Sequence, residues 1–166
     1  MYTVLRMLHI LFGIFVGGTY IFLVLILEPA LSKLGPSIQT PLMRKITPIM
    51  TMVMATSLII IVATGITMIF MLYPGALDTL WSTAWGWDII IGILATIAVF
   101  IVGFGLLTPT GIRLDRLGRS IEGRPPTPEE GQQLQYLSER VKKLSRVNFI
   151  FVAIAIVTMV TAKLFL

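Results

Sequence analysis

The only histidine of the chain, His9, lies in the first of its long apolar stretches. On a helix, Gly13, Val16, Gly17 and Tyr20 would fall within about 80° of it. Gly13 and Gly17 have the small-xxx-small spacing that lets a second helix approach closely, so this face is expected to point at another helix. An enclosed intramembrane histidine could ligate a haem iron or a copper ion, or join two helices by a hydrogen bond.

Methionine is a second residue type here that could bind a metal, since the chain contains nine of them. Met50, Met54 and Met68 share one face of the second apolar stretch, and Met68 is expected near the depth of His9. A thioether beside an imidazole suits Cu(I) or the sixth position of a haem. Plain core packing would give the same stripe, so both interpretations stay open.

Three other charged side chains lie within the apolar stretches: Arg6, Asp88 and Lys163. All three are expected at the same end of the bundle as His9. An ion pair between Asp88 and Arg6 or Lys163 would lower the cost of burying either charge. Alternatively, Arg6 and Lys163 reach the headgroups, and Asp88, next to Trp87, caps the start of a helix.

Four apolar stretches position these residues, at about 4–27, 46–73, 85–107 and 147–166. Each is long enough to cross a bilayer core of about 30 Å. The 166-residue chain is 56% hydrophobic and 13% charged, with a mean hydropathy of +0.92, which is too apolar for a soluble domain of this size. The sequence therefore predicts a single domain, 1–166, that is an all-α membrane protein with a four-transmembrane-helix bundle.

The basic residues predict how this bundle is oriented. Of the thirteen Lys and Arg residues, eleven lie between the first and second stretches or between the third and fourth. The positive-inside rule places both connections in the cytoplasm and both termini outside, in the inner or plasma membrane of a cell. The net charge of +5 is thus interpreted as a topology signal, and no nucleic-acid partner is expected. The first stretch is about twice as long as a signal-peptide core and is predicted to be retained.

The connection at about 110–146 is predicted to form a short cytoplasmic helical hairpin. Its apolar residues have helical spacing, and 123–126 should break the helix. Thr127 and Glu130 can then form a capping box that starts a new helix, which runs on into the fourth apolar stretch. This hairpin could bind a partner, or it could be only a charged connector.

Prolines and polar residues interrupt the apolar pattern at a few points. Pro29, after Glu28, is predicted to end the first helix, and Pro109 the third. Thr64 and Asn148 are predicted to form hydrogen bonds between helices. The chain has no Cys, which excludes disulfides and thiolate metal sites. It also lacks the short motifs of soluble nucleotide-binding proteins and hydrolases.

The chain carries several short motifs: Leu8-His9-Ile10-Leu11, Gly17-Gly18, Glu28-Pro29-Ala30, Ala63-Thr64-Gly65 and, near the hairpin, Gly118-Arg119 and Pro128-Glu129-Glu130. Together they resemble a superfamily of small four-helix membrane proteins. That superfamily includes the copper-resistance D family and the membrane four-helix protoporphyrinogen oxidases. The resemblance covers most of the chain, and the first helix contributes most to it.

This resemblance implies a haem b ligated by His9, or copper handling near the outer face. The oxidases usually carry a basic residue after a glycine in the third helix. In this chain Gly86 is followed by Trp87 and Asp88 instead. The resemblance therefore implies only one ligand here, His9. With one histidine per chain, a second imidazole would come from another copy or a partner, so a homo-oligomer or a subunit of a larger membrane complex is expected.

Three classes of function are consistent with these features. The leading one is a small membrane protein that binds haem or a metal ion at His9 for redox or metal handling. Its rival is a non-catalytic accessory subunit, in which Gly13, Gly17 and Gly18 would serve only helix packing. A transporter is a weaker third class, because four helices with so few polar groups would have to oligomerise to line a pathway.

Overall fold

The computed structural model describes residues 1–34, 36–72 and 76–162, without the side chains of 36–41, 72, 76–77 and 79. Regular structure within these residues is entirely helical. The elements are α1 (Tyr2–Ile21), π1 (Phe22–Leu27), α2 (Glu28–Leu31), α3 (Pro36–Leu72), α4 (Ala76–Ser82), α5 (Ala84–Phe100), π2 (Ile101–Leu107), α6 (Thr108–Ser120) and α7 (Pro128–Ala162).

Four continuous helices are long and apolar enough to cross a membrane: Tyr2–Leu31, Leu42–Met71, Ala84–Ser120 and Pro128–Ala162. The first consists of α1, π1 and α2, and the third of α5, π2 and α6. This confirms the predicted all-α class and the number of long apolar helices. α3 begins at Pro36, about ten residues before the predicted second stretch.

Pro29 does not end the first helix, contrary to the sequence prediction. The π-helical turn π1 comes just before it, and there the backbone N–H of Glu28 bonds the carbonyl of Leu23, five residues back. A proline in an α-helix clashes with the carbonyl four residues earlier. Because a π turn shifts the pairing by one residue, it accommodates the ring and the chain stays helical to Leu31.

The third helix repeats this arrangement at Pro109, which was also predicted to be a helix end. The segment π2 precedes the proline, and the backbone N–H of Thr108 bonds the carbonyl of Gly103. The hydroxyl of Thr108 donates to the same carbonyl at 2.9 Å. The helix therefore continues through Pro109 to Ser120 as α6.

Helix packing is most extensive between α1 and α3 and between α5 and α7. One central cluster joins all four long helices: Val16, Tyr20, Val24, Met54, Leu58, Val99 and Val152. The predicted methionine face of α3 points into this cluster, since Met54 is buried and Ser57 is 1% exposed. For Met54, core packing is therefore the correct interpretation.

The predicted capping box at the start of α7 is confirmed. The backbone N–H of Thr127 donates to a carboxylate oxygen of Glu130 at 2.9 Å, and the N–H of Glu130 donates to the Thr127 hydroxyl at 3.3 Å. Arg124 also pairs with Glu130 at 2.6 Å. α6 packs against α7, so the two helices form a hairpin beyond the apolar part of the bundle.

Candidate functional site

The imidazole of His9 lies between α1 and α3 and is bound to α3 by its Nδ1 atom. Nδ1 is 2.9 Å from the carbonyl oxygen of Ile61 and 3.0 Å from the hydroxyl of Thr64. A carbonyl can only accept, so Nδ1 carries a hydrogen. The Thr64 hydroxyl donates its own hydrogen to the carbonyl of Ile60 at 2.6 Å, and it therefore also accepts from Nδ1. The two contacts assign the same tautomer.

The other ring nitrogen of His9, Nε2, is left with a lone pair in the neutral imidazole. Among the described residues no group forms a hydrogen bond with it, and it is not one of the buried polar atoms that lack a partner. Nε2 thus reaches the surface of the described chain. A backbone carbonyl that fixes one ring nitrogen while the other stays free is the arrangement found around many metal-ligating histidines.

Two glycines, Gly65 on α3 and Gly13 on α1, lie near the imidazole of His9. A Cβ added at Gly65 would lie 3.1 Å from Cε1 of His9, so the ring packs against bare backbone of α3. A Cβ at Gly13, one turn along α1, would meet no described atom within 4 Å. The ring therefore has the α3 backbone on one side and open space near Gly13.

The remaining predicted packing glycines differ from one another. A Cβ at Gly17 would meet the side chain of Ile156, so Gly17 is where α1 approaches α7. Around Gly18 the described chain leaves open space, and this glycine is exposed. Gly17 therefore contributes to packing within the chain, and Gly18 presents bare backbone on the surface.

Met68 lies on α3 one turn beyond Thr64, about 6 Å farther along the helix axis. It is half-buried. In the described part of the chain, its sulfur makes no hydrogen bond with the imidazole of His9. Met68 is therefore about one helical turn from the level of His9 on α3.

The predicted supporting charges do not form a cluster in the described residues. Arg6 is half-buried on α1, and no ion pair joins it to Asp88 in the ranges that the structure describes. One carboxylate oxygen of Asp88 is buried without a partner there. The cap of α5 is Thr83, whose hydroxyl accepts from the N–H of Gly86 at 3.0 Å, and not Asp88. Lys163 lies outside the described residues.

Two buried polar side chains, Asn148 and Tyr20, form a hydrogen bond deeper in the bundle. Of these two residues, the sequence predicted an interhelical hydrogen bond only for Asn148. The amide nitrogen of Asn148 donates to the hydroxyl of Tyr20, joining α7 to α1. Asn148 is 0% exposed, and its Oδ1 has no partner in the described structure. A Cβ at Gly103 in π2 would lie 3.2 Å from the amide nitrogen. The sequence predicted an interhelical hydrogen bond for Asn148 but gave no signal for its partner.

This donor set restricts the kind of ligand that one chain can hold. The described residues contain no group of three or more His, Asp or Glu side chains that could surround a metal ion. They offer one imidazole nitrogen, which is sufficient for an axial bond to a haem iron. Comparison with protein-family models, with curated proteins and with solved structures found no match to this chain.

Proposed function

We propose that this chain is a four-helix integral membrane protein that binds haem b, or a metal ion, through Nε2 of His9, and that it serves in redox chemistry or metal handling. In this proposal both termini lie outside, and the hairpin of α6 and α7 lies in the cytoplasm. The observation that carries it is the hydrogen bond from Nδ1 of His9 to the Ile61 carbonyl, which leaves Nε2 free.

Residence in a membrane is supported by what the long helices expose. Large apolar side chains cover their outer faces, with Ile14 68% and Phe70 66% exposed. Keeping such surface in water costs about 25 cal/mol per Å², whereas lipid tails accept it at no such cost. The concentration of basic residues around the hairpin supports the proposed orientation.

Haem fits this site better than a metal ion held by one chain alone. An axial bond needs one donor per chain, and the chain has one histidine. Ile61 and Thr64 hold the imidazole in one tautomer and one ring orientation, which raises the basicity of the ligating nitrogen. No described atom lies within 4 Å of a Cβ built on Gly13, so the described chain does not block the surface of α1 one turn from His9. Haem bound there would supply one-electron chemistry.

A second imidazole for such a haem would come from a second copy of the chain. One copy cannot supply it, because His9 is the only histidine. The proposal therefore includes a homodimer in which two copies of α1 face the same group. For copper, Met68 is the nearest predicted thioether, and it would have to reach one helical turn toward His9.

The test is a visible spectrum and a metal analysis of the protein purified from membranes, before and after titration with hemin. We expect a Soret band that is lost in His9→Ala. The matched control is Met7→Ala, an exposed residue of the same helix, which should keep the band. A wild-type protein that binds neither hemin nor metal would refute the proposed site, provided that its helical circular-dichroism spectrum is normal.

An accessory subunit is the second candidate, and a specific observation favours it. Gly18 is exposed, with no described atom within 4 Å of a Cβ built on it, so another helix could approach there. Because the chain has no Cys, Gly18→Cys introduces a single thiol for cross-linking in membranes. A colourless protein that cross-links through this position to one fixed partner would support the subunit function over haem binding.

A further inference from the structure

One face of α7 carries a group of cations at the point where this helix becomes apolar. Arg146 lies four residues after Lys142 and three after Lys143, so all three cations project from one side of the helix. Together with Glu139 they line an open groove that continues onto Val147 and Ile150. We name this surface, formed by the six residues 139, 142, 143, 146, 147 and 150, the α7 groove.

Several cations at this end of the protein are neutralised by carboxylates, but those of the α7 groove have almost no such partners. Arg44 lies 3.0 Å from both Asp115 and Glu122, and Arg124 lies 2.6 Å from Glu130. In the described residues, by contrast, no ion pair involves Lys142 or Lys143. The positive charge of the α7 groove is therefore largely uncompensated within the chain.

Two contacts remain to charged residues of the α7 groove, and neither neutralises Lys142 or Lys143. Arg146 approaches Glu28 at the end of the first helix, but only to 3.8 Å. Glu139 accepts a hydrogen bond from Gln135 at 3.1 Å. A phosphate group could accept two hydrogen bonds from the guanidinium of Arg146. Glu28 does not provide such a bidentate contact at this distance.

We propose that the α7 groove binds an anionic phospholipid. Its phosphate lies among Lys142, Lys143 and Arg146, and its acyl chain runs along Val147 and Ile150. This inference rests on the membrane insertion and orientation put forward under Proposed function, and it is independent of haem or metal binding. The cytoplasmic leaflet is the one rich in anionic lipids, and basic pockets at that surface are suited to their headgroups.

The depth of the groove favours a lipid over a soluble anion. Arg146 directly precedes the apolar part of α7, so its charge lies at the level where headgroups begin. Ile150, one turn farther, is 56% exposed and continues the same face into the hydrocarbon. A ligand with a phosphate and an acyl chain contacts both halves of the groove, whereas free phosphate contacts only the cationic half.

Two other exposed cations provide a matched control. Arg113 and Arg116 lie on α6 and have no ion pair among the described residues. They follow the π2 segment by about two turns, and Asp115 lies between them. Lys143→Gln/Arg146→Gln and Arg113→Gln/Arg116→Gln therefore remove the same charge from the same end of the protein, but only the first pair changes the α7 groove.

The experiment is a titration of the protein in neutral detergent micelles with phosphatidylglycerol, followed by native mass spectrometry. Each basic residue near the headgroups contributes about fivefold to binding, so Lys143→Gln/Arg146→Gln should bind phosphatidylglycerol about thirty-fold more weakly. The control pair should stay close to wild type. Phosphatidylcholine and inorganic phosphate should bind much more weakly than phosphatidylglycerol to the wild-type protein.

Three results would overturn this inference. Equal losses in the two double variants would mean that only the overall charge matters. Equal binding of inorganic phosphate would mean that no lipid is recognised. Cross-linking of two copies through Ile150→Cys, without phosphatidylglycerol binding, would make the α7 groove an interface between copies. Extraction of the chain from membranes by alkaline carbonate would instead refute the membrane insertion itself, and a missing Soret band would affect only the haem proposal.

Discussion

The side chains of Tyr20 and Asn148 are 128 residues apart in sequence and form a hydrogen bond in the centre of the bundle. This bond joins α1 to α7. Asn148 is fully buried, and its Oδ1 has no partner in the described structure. An amide in such a position is costly unless it is paired, so the bond favours the one alignment of the two helices in which the groups meet.

We expect this pair to show strong energetic coupling. Tyr20→Phe leaves the amide of Asn148 buried without any partner, at a cost of about 1–3 kcal/mol. Asn148→Leu removes both polar atoms of that amide, so the double variant should be at least as stable as Tyr20→Phe alone. Unfolding in detergent micelles measures the free energies for a double-mutant cycle. Additive effects of the two substitutions would show that the bond does not stabilise the bundle.

Thr64→Val tests how far α3 controls the ligating nitrogen. The substitution removes one of the two acceptors of Nδ1 and keeps the Ile61 carbonyl. Loss of such an outer contact typically weakens binding by about ten- to a hundred-fold, and we expect hemin affinity to fall within that range. Thr67→Val is the matched control, because the Thr67 hydroxyl bonds only the Ala63 carbonyl of its own helix and is exposed. Equal affinities in the two variants would contradict a role for Thr64.

The sequence predicted the long helices and the inward face of His9 because these features depend on local patterns. Apolar length alone defines the four long helices, and Gly17, on the same predicted face as His9, indicated a side of α1 that faces a neighbour, whereas Gly13 meets no neighbour among the described residues. The capping box of Thr127 and Glu130 is likewise a local signal, and the structure contains it.

The features that the sequence did not predict depend on contacts between distant residues or on backbone adjustments. Nothing near Tyr20 indicates that Asn148 is its partner, because the pairing is set by the register of two helices. The acceptor for His9 is a main-chain carbonyl, which any residue at position 61 would supply. The helix ends predicted at Pro29 and Pro109 were wrong because a π turn before each proline accommodates its ring.

The start of α7 should lose stability in acid. Glu130 precedes the apolar part of α7 by about 25 Å, outside the proposed spanning segment. The guanidinium of Arg124 and the backbone N–H of Thr127 hold its pKa at about 2, below the usual value of 4.5. Because the folded pKa is depressed, the stabilisation is complete above pH 4.5 and is lost as the pH falls toward 2.

Hydrogen exchange of the first turn of α7, followed across this pH range, checks the expectation. Glu130→Gln should reduce protection at neutral pH and remove most of the pH dependence. The neighbouring Glu129→Gln should retain it, since Glu129 is exposed and is not the residue that bonds Thr127. An unchanged pH dependence in Glu130→Gln would show that another group titrates.

Gly65→Val should displace the imidazole without changing any donor. A Cβ at this position would lie 3.1 Å from Cε1 of His9, so the larger side chain forces the ring away from α3 and stretches the bond from Nδ1 to Ile61. Overpacking of this kind costs about 1–3 kcal/mol, and we expect hemin affinity to fall by at least about tenfold. Gly18→Val, an equal substitution at an open position, should leave affinity unchanged. If both variants bind hemin like the wild-type protein, the orientation that α3 imposes on His9 is not required for the site.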